Sequence, residues 1–229
     1  MKVKFFKHKK IILFLFLVLV CVLIIPRQYT NEHFNNVFDN IYKNNVWGKG
    51  KIEGGSSGSG SSPEVNKLYL SFLSSFIKEN NIKSIVDIGC GDWQIMSLLN
   101  MDNIHYRGYD VSKKIIDYNN NIHKKTHIEF YLEELDKKSN YERADLLICK
   151  DVLQHLSYSK INNILSQLNK YKYVIIINDI VQDTNNSDID NGGYRSLDIQ
   201  KQPFNIKNID AEYHLWKSEP KKTLYVIKA

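Results

Sequence analysis

The sequence predicts an α/β protein with a doubly wound, mainly parallel β-sheet and a terminal β-hairpin, preceded by an N-terminal transmembrane helix. Three observations support this fold class. Strand-like and helix-like segments alternate from residue 84 onward, residues 84–92 read as a buried strand that runs into a glycine turn, and residues 11–25 are all apolar. The 229 residues are enough for one membrane anchor and one domain of ordinary size.

The first element is the apolar run at residues 11–25. As a helix it would be roughly 22 Å long, short of the ~30 Å hydrocarbon core, but the flanking lysines can reach the membrane surface. A cleaved signal peptide is the alternative, although no small-residue cleavage site follows. We favour an uncleaved signal anchor. Residues 1–10 carry five lysines and no acid, which predicts a basic cytosolic segment. The domain would then face a lumen or the exterior, as in a single-pass protein of the secretory pathway or of a viral membrane.

The net charge of +6 is concentrated in that basic segment. The rest of the chain holds 26 Lys and Arg against 25 Asp and Glu, so we expect no nucleic-acid partner. The three cysteines, Cys21, Cys90 and Cys149, show neither a disulfide pattern nor the spacing of a metal site, and no metal is predicted.

Residues 26–62 are predicted to form a stem, and the domain proper spans residues 63–229. By composition, the Gly/Ser run at 54–62 is a flexible linker. A helix should begin at Pro63, a residue favoured in the first turn, and run to about Lys78.

The remaining elements follow from hydrophobic periodicity and turn residues. Strands are predicted at residues 84–89, 105–109, 127–132, 145–149 and 173–177, with two closely spaced strands near 211–216 and 223–228. Helices are predicted at 93–100, after Ser112, at 151–156 and at 158–170. Because strands alternate with helices, the sheet should be largely parallel, and the last two strands should form a hairpin.

The glycine turn after the first strand is the most informative motif. Asp87 lies near the end of the strand, and the chain then continues as Gly89, Cys90 and Gly91. The turn has only two glycines and no Gly-Lys-Ser/Thr, so it matches neither dinucleotide-binding nor P-loop patterns. Asp87 would also repel a phosphate. The turn therefore suits a ligand with a cationic end and no phosphate, such as S-adenosylmethionine (SAM), although any α/β protein can contain an ordinary turn of this kind.

Four segments in order resemble the motifs of the class I SAM-dependent methyltransferases. They are residues 86–92, Asp110 at the end of the second strand, Glu133 after the third, and residues 149–156 at the fourth. The resemblance implies a Rossmann-like sheet of seven strands and SAM as cofactor. It implies that Asp110 binds the ribose hydroxyls and that Glu133 lies near the adenine. The implied cofactor-binding set is Asp87, Gly89, Cys90, Gly91, Asp110, Glu133 and Lys150.

The chain after the anchor is also similar to a smaller group of bacterial and viral methyltransferases, many of them associated with glycan-building loci. The shared elements are Trp47-Gly48, the Ser/Gly run at 57–61, the turn at 90–92, residues 151–156, and residues 193–198 with Pro203-Phe204. This resemblance implies that the Ser/Gly run is an ordered loop that closes over the cofactor as a candidate active-site cap. Residues 49–55 are more glycine-rich than the group's pattern.

Asp151 and His155 are the predicted catalytic residues. They are four residues apart, so on a helix they would share one face, directed toward the transferred methyl group. His155 would act as general base, with Asp151 as its partner or as an acceptor for a substrate hydroxyl. The alternative is a structural helix histidine.

The long polar loop at 182–198 suggests the acceptor. Amides and carboxylates together with Tyr194 and Phe204 suit a sugar, which has many hydroxyls and an apolar ring face. Arg195 is expected to pair with a carboxylate or with substrate. The predicted acceptor contacts are Trp47, Asp179, Arg195 and Asp198.

The leading hypothesis is an O-methyltransferase that acts on a sugar hydroxyl of a glycan or glycoconjugate. Its partners would be that glycan, or another hydroxyl-bearing acceptor, and the membrane. The alternatives are a methyltransferase for a protein, lipid or small molecule, and a catalytically inactive SAM-binding module that acts in interaction.

Overall fold

The computed structural model describes residues 37–48, 57–133, 139–181, 183–217 and 220–228. The predicted basic segment at 1–10 and anchor at 11–25 lie outside these ranges, as does much of the stem. Within the described residues, no helix is both long and apolar enough to cross a membrane.

A seven-stranded sheet forms the centre of the structure, with helices on both faces. The helices are α1 (residues 37–43), α2 (Lys67–Glu79), α3 (Lys113–Ile122) and α4 (Tyr158–Leu165). The strands are β1 (Ser84–Ile88), β2 (His105–Asp110), β3 (Ile128–Leu132), β4 (Ala144–Lys150), β5 (Tyr171–Ile180), β6 (Ile209–Tyr213) and β7 (Lys221–Lys228).

The strand order is β3-β2-β1-β4-β5-β7-β6. The first five strands of that order are parallel, and β7 runs antiparallel between β5 and β6. The predicted seven-stranded, mainly parallel sheet with a terminal hairpin is therefore confirmed. Because parallel strands share one direction, the carboxyl ends of β1, β2, β4 and β5 meet at one edge, where α/β sheets bind ligands.

Two apolar layers cover the sheet, one on each face. Alternate residues of β5 show the division: Ile175 and Ile177 pack with α2, whereas Val174 and Ile176 pack with α1 and α4. A strand that is buried on both faces has a continuous run of apolar, mostly β-branched residues. Such a run allows β5 to be predicted from the sequence.

The predicted helix at 93–100 is wrong. Only a 3₁₀ turn, Met96–Leu98, forms in this segment. Trp93 has a φ of 55°, which a helix does not allow. Its indole packs against Tyr106 and Phe130, with ring centroids 5.4 Å apart in both pairs. Burial of a large aromatic side chain thus overrides the helical periodicity.

The predicted helix at 151–156 is also wrong, since only Leu153–His155 forms a 3₁₀ turn and Asp151 has a φ of 59°. The helix predicted at 158–170 ends at Leu165, and a second 3₁₀ turn follows at Leu168–Lys170. Helix α2 starts four residues after Pro63. The long β5 extends its predicted range at both ends, and so carries Asp179 to the sheet edge.

Candidate functional site

The glycine turn after β1 lies at the carboxyl edge of the sheet. Gly89 and Gly91 have φ values of 71° and 53°, in the left-handed region that favours glycine. The backbone N–H groups of Gly89 and Cys90 both donate to the carbonyl of Tyr109 in β2, at 2.8 and 3.1 Å. These bonds tie the turn to the neighbouring strand, so that its open side faces a cleft.

That first cleft has a volume of about 690 Å³ and lies between the turn, the end of β2 and α1. Its apolar wall includes Phe38, Tyr109, Val111 and Tyr141, and the carboxylates of Asp110 and Glu133 line it as well. An apolar slot with carboxylates along it suits a flat base joined to a ribose.

Asp110 is held in place by the backbone. Its two carboxylate oxygens accept hydrogen bonds from the N–H groups of Gly91 and Ser112, both at 3.0 Å. Burial raises the pKa of Asp110 to about 6, against the lowering effect of these two bonds. Each oxygen keeps a further lone pair, so the carboxylate can still accept the hydroxyls of a ribose.

An inner cavity of about 430 Å³ lies on the other side of the glycine turn. Asp87, Tyr69 and Lys150 line it, together with the turn itself. Asp87 is buried, accepts a 2.6 Å hydrogen bond from the Tyr106 hydroxyl, and has its pKa raised by burial to about 7. Cys90 also lines this cavity, but its Sγ lies 4.0 Å from Asn119 Nδ2 and burial raises the pKa of its thiol. The inner cavity therefore offers two acids, Asp87 and Asp92, and one base, Lys150, to a small zwitterion.

The Ser/Gly run packs directly against the glycine turn. Ser57 Oγ accepts a 2.9 Å bond from the N–H of Asp92, and the N–H of Ser57 reaches Asp92 Oδ2 at 3.3 Å. A Cβ at Gly91 would lie only 2.2 Å from Ser57 Oγ. Asn66 anchors the following residues by donating to the carbonyls of Gly60 and Ser62, both at 2.8 Å. The described part of the predicted cap thus forms a wall of both the first cleft and the inner cavity.

Asp151, Asp179 and two lysines form an ion-pair cluster at the ends of β4, β5 and β7. Lys150 Nζ lies 2.5 Å from Asp151 Oδ2, and Lys222 contacts both Asp151 and, at 2.8 Å, Asp179. Burial alone would raise the pKa of Asp151, but the charges and hydrogen bonds of Lys150 and Lys222 hold it below the ordinary value. Asp151 therefore pairs with the lysines, which corrects the expectation that it would share a helix face with His155 as its partner.

His155 lies at the junction of the first cleft and an outer cleft of about 840 Å³. Its Nδ1 is 2.7 Å from the carbonyl of Gly193. Because a carbonyl only accepts, Nδ1 carries the proton and Nε2 keeps its lone pair. Burial lowers the pKa of the ring despite that bond, which favours the neutral form. A neutral imidazole with a defined lone pair is suited to accept a proton.

The outer cleft is both aromatic and polar. The Trp47 and Tyr194 rings flank His155, with centroids 5.3 and 5.8 Å away. Gln154, Asp179 and Lys222 line the same cleft. The Tyr194 hydroxyl donates to Asp179 Oδ2 at 3.1 Å, so this ring is held at the cleft by β5.

Two of the predicted acceptor contacts lie elsewhere. Arg195 is buried and donates to the carbonyls of Leu153, Gln154 and Leu156, at 3.3, 3.1 and 2.8 Å. Through these bonds it holds the turn that carries His155. Asp198 is also buried, where it accepts bonds from the N–H of Gln200 and, at 3.2 Å, from the Tyr225 hydroxyl. We therefore place both residues in the support of the site and outside the acceptor cleft.

Lys222 and Tyr69 belong to the site although the sequence did not indicate them. Lys222 opens the apolar run of β7 and looks like a strand-edge lysine; only the insertion of β7 beside β5 brings it to Asp179. Tyr69 lies among the apolar residues of α2 and reads as core. The described residues contain no cluster of three metal-ligating side chains.

The residues present fit SAM. The first cleft can take the adenosine, with Asp110 at the ribose, and the inner cavity can take the amino-acid end, with Asp87 facing the ammonium. Tyr69, whose buried hydroxyl has no hydrogen-bond partner among the described residues, also lines that cavity, which is consistent with a polar ligand there.

Comparison with known proteins identifies the family of the chain. A family model described as a methyltransferase domain matches residues 79–224. No curated protein sequence matches the chain.

Several solved structures share the fold. Magnesium protoporphyrin IX methyltransferase from Synechocystis PCC 6803, solved with bound SAM, has a TM-score of 0.56 and 12% identity over 85% of this chain and 97% of its own. A putative methyltransferase from Thermobifida fusca YX has a TM-score of 0.53 and 10% identity over 72% and 80%. The PH0226 protein from Pyrococcus horikoshii OT3 has a TM-score of 0.52 and 15% identity over 74% and 93%. Because the family model matches more than half of the chain and the cleft fits the cofactor, the chain belongs to the methyltransferase domain family and is a SAM-dependent methyltransferase.

Proposed function

We propose that this protein transfers a methyl group from SAM to a hydroxyl of a sugar in a glycan or glycoconjugate, with His155 as general base. The observation that carries the proposal is the Nδ1 bond of His155 to the Gly193 carbonyl. It leaves Nε2 as a proton acceptor at the point where the first cleft meets the outer cleft.

SAM supplies a methyl group on a positively charged sulfur, which makes the transfer an in-line displacement by the acceptor oxygen. The chain's part is to align that oxygen and remove its proton. The lowered pKa of His155 keeps the ring neutral and ready as a base near pH 7. Two contacts hold the ring in place. Arg195 donates to the 3₁₀ turn that carries His155, and the Gly193 carbonyl accepts a hydrogen bond from the ring itself.

The chemistry of the outer cleft supports a sugar acceptor. Trp47 and Tyr194 offer flat apolar faces, against which the C–H side of a sugar ring packs well. Asp179, Gln154 and Lys222 offer acceptors and donors for its hydroxyls. A small hydrophobic acceptor would instead favour a closed apolar pocket, and this cleft is lined by charged groups.

The test is transfer of a labelled methyl group from SAM to a panel of free sugars, oligosaccharides and glycoproteins, with a lipid, a peptide and small aromatic alcohols beside them. Wild type should label a glycan. His155→Ala should lower kcat by about 10²- to 10⁴-fold, as expected for loss of a general base, while the protein still binds S-adenosylhomocysteine. The matched control is His105→Ala, an exposed histidine at the start of β2, which should leave kcat unchanged.

Two outcomes would contradict the proposal. Labelling of only the non-sugar acceptors would remove the glycan, and full activity of His155→Ala would remove the base. In wild type, kcat/KM should fall on the acid side as His155 protonates, at a pH below the usual histidine range because burial lowers the pKa of the ring.

We further propose that residues 11–25 anchor the protein with its amino terminus in the cytosol and the domain in a lumen or outside. The five lysines before the apolar run support this orientation. Protease protection of a tag at the carboxyl terminus, in intact membrane vesicles, tests the orientation. A tag that is digested from the cytosolic side would refute it.

A further inference from the structure

The hydroxyl of Tyr69 is a buried polar group on helix α2. Tyr69 is 1% exposed, and its hydroxyl has no hydrogen-bond partner among the described residues. A buried polar atom left unsatisfied costs about 1–3 kcal/mol, so such a group calls for an explanation. The side chain lines the inner cavity beside Asp87 and Lys150.

The position of this hydroxyl is well defined. Tyr69 belongs to α2, and its ring packs against Trp216 with centroids 5.7 Å apart. Trp216 in turn donates to Asn66 Oδ1 at 3.2 Å, at the start of the same helix. The ring is therefore covered by Trp216, which is itself bonded to the start of α2, and the hydroxyl is buried from solvent.

The charged side chains around the inner cavity indicate which group of a ligand the Tyr69 hydroxyl would bind. Asp87 and Asp92 are the acids of the cavity. Asp92 accepts hydrogen bonds from Ser57 and Gln94, so Asp87 is the natural partner of the ammonium of an amino acid. Lys150 is the base of the cavity, and two of its three donors go to the Gly60 carbonyl and to Asp151. The third remains for a ligand. Burial, with Asp87 and Asp151 nearby, raises the pKa of Tyr69 well above its usual range, so the phenol stays protonated and can donate.

We propose that Tyr69 and Lys150 bind the α-carboxylate of the cofactor's amino-acid end, with the Tyr69 hydroxyl as hydrogen-bond donor. This assigns a cofactor-binding residue to α2, the helix that precedes β1 and contains none of the sequence motifs. The inference concerns cofactor binding only and does not depend on the acceptor proposed above, nor on His155.

The experiment compares ligands with and without the carboxylate. Dissociation constants are measured by calorimetry on the full chain in detergent, for SAM and for decarboxylated SAM, which keeps the ammonium and sulfonium. Tyr69→Phe should weaken SAM binding by about 10- to 100-fold, the range expected for loss of a hydrogen bond to a charged group. The same variant should bind decarboxylated SAM as wild type does, to within about twofold. The Tyr69→Phe substitution and the loss of the ligand's carboxylate remove the same hydrogen bond, so the second change adds nothing to the first.

Tyr171→Phe is the matched control. Tyr171 is also buried, at 3% exposure, and its hydroxyl also lacks a partner among the described residues, but it lies at the start of β5, at the opposite edge of the sheet. It should bind both ligands as wild type does. Each variant should melt at or above the temperature of wild type without ligand, because each removes an unsatisfied buried hydroxyl and keeps the ring.

The outcomes separate cleanly. Equal weakening of SAM and decarboxylated SAM by Tyr69→Phe would place the hydroxyl at the ammonium and overturn the proposal. Unchanged SAM affinity in Tyr69→Phe, or no SAM binding by wild type, would overturn it as well. Because no acceptor takes part, failure of the glycan assay leaves this result unaffected.

Discussion

At the scale of single residues, the site is built on two buried carboxylates. Asp87 and Asp110 end the neighbouring strands β1 and β2, and burial raises their pKa values to about 7 and about 6. Neither has a basic side chain as a hydrogen-bond partner among the described contacts, since Asp87 bonds Tyr106 and Asp110 bonds backbone N–H groups. Without a cofactor, these acids are therefore costly to ionise, and a cationic ligand relieves that cost.

The raised pKa of Asp87 predicts how the stability of the ligand-free protein depends on pH. The unfolded chain ionises this residue near pH 4, whereas the folded chain does so near pH 7. The contribution of protonated Asp87 to the free energy of unfolding is therefore fully present below pH 4 and is lost as the pH rises to 7. We expect Asp87→Asn, which keeps the shape and the bond to Tyr106, to be more stable than wild type at pH 8, by about 2–4 kcal/mol.

Urea denaturation of both proteins between pH 4 and pH 8 measures this difference. It should be small at pH 4 and level off above pH 7. Saturating SAM should stabilise wild type more than the Asn variant, because only the carboxylate attracts the ammonium. A difference that does not change with pH would contradict the assignment of the raised pKa to Asp87.

At the scale of elements, the glycine turn and the Ser/Gly run form one structural unit. The turn has no room for a side chain at Gly91, because Ser57 fills that space. Ser57 is in turn held by Asp92, the residue after the turn. The two segments are 35 residues apart in the chain, so this fit depends on the tertiary structure.

Gly91→Ala should disrupt this unit in two ways. The new Cβ would meet Ser57 Oγ at 2.2 Å, and a non-glycine residue at a φ of 53° costs about 1–3 kcal/mol by itself. We expect a lower melting temperature and at least about tenfold weaker binding of S-adenosylhomocysteine, since the cap would be displaced from the cleft.

The double variant Ser57→Gly/Gly91→Ala separates the two effects. It removes the collision and leaves the backbone strain, so it should recover part of the affinity lost in Gly91→Ala. If Ser57→Gly restores nothing, the cap does not press on the turn as described. The readouts are calorimetry with S-adenosylhomocysteine and thermal denaturation.

The elements also show what the sequence can and cannot predict. The alternation of buried strands and helices, and the β-branched run of β5, are local patterns, and they correctly predict the sheet. The helix at 93–100 fails because Trp93 gains more from burial against Tyr106 and Phe130 than a helix would offer. The turn at 153–155 is shaped by Arg195, some 40 residues later, and no local pattern records that contact.

The same distinction holds for the site. Asp87 and Asp110 lie at the carboxyl ends of β1 and β2, so the topology alone brings them to one edge. Lys222, by contrast, reaches Asp179 only because β7 inserts between β5 and β6. Arg195 stands out in the sequence as a lone base in an acidic loop. Its partners are backbone carbonyls, and the sequence alone does not tell whether such an arginine binds a carbonyl or a substrate.

At the scale of the whole molecule, the first and outer clefts share a wall. Trp47 and His155 line both clefts, whereas Tyr194 lines only the outer one. Trp47 also packs on Phe38 and Tyr42 of α1, at ring distances of 6.1 and 5.3 Å. The segment before the parallel sheet thus connects the cofactor to the place proposed for the acceptor.

This arrangement predicts different effects for the two aromatic residues that flank His155. Trp47→Ala opens the shared wall, so we expect about tenfold weaker binding of S-adenosylhomocysteine, from the loss of a large aromatic contact. Tyr194→Ala leaves the first cleft intact and should bind S-adenosylhomocysteine as wild type does. Both variants should raise the KM for the acceptor. Calorimetry measures the affinity for S-adenosylhomocysteine, and steady-state kinetics measure the KM for the acceptor. Equal loss of S-adenosylhomocysteine affinity in both variants would show that the first and outer clefts are not separate binding sites that meet at His155.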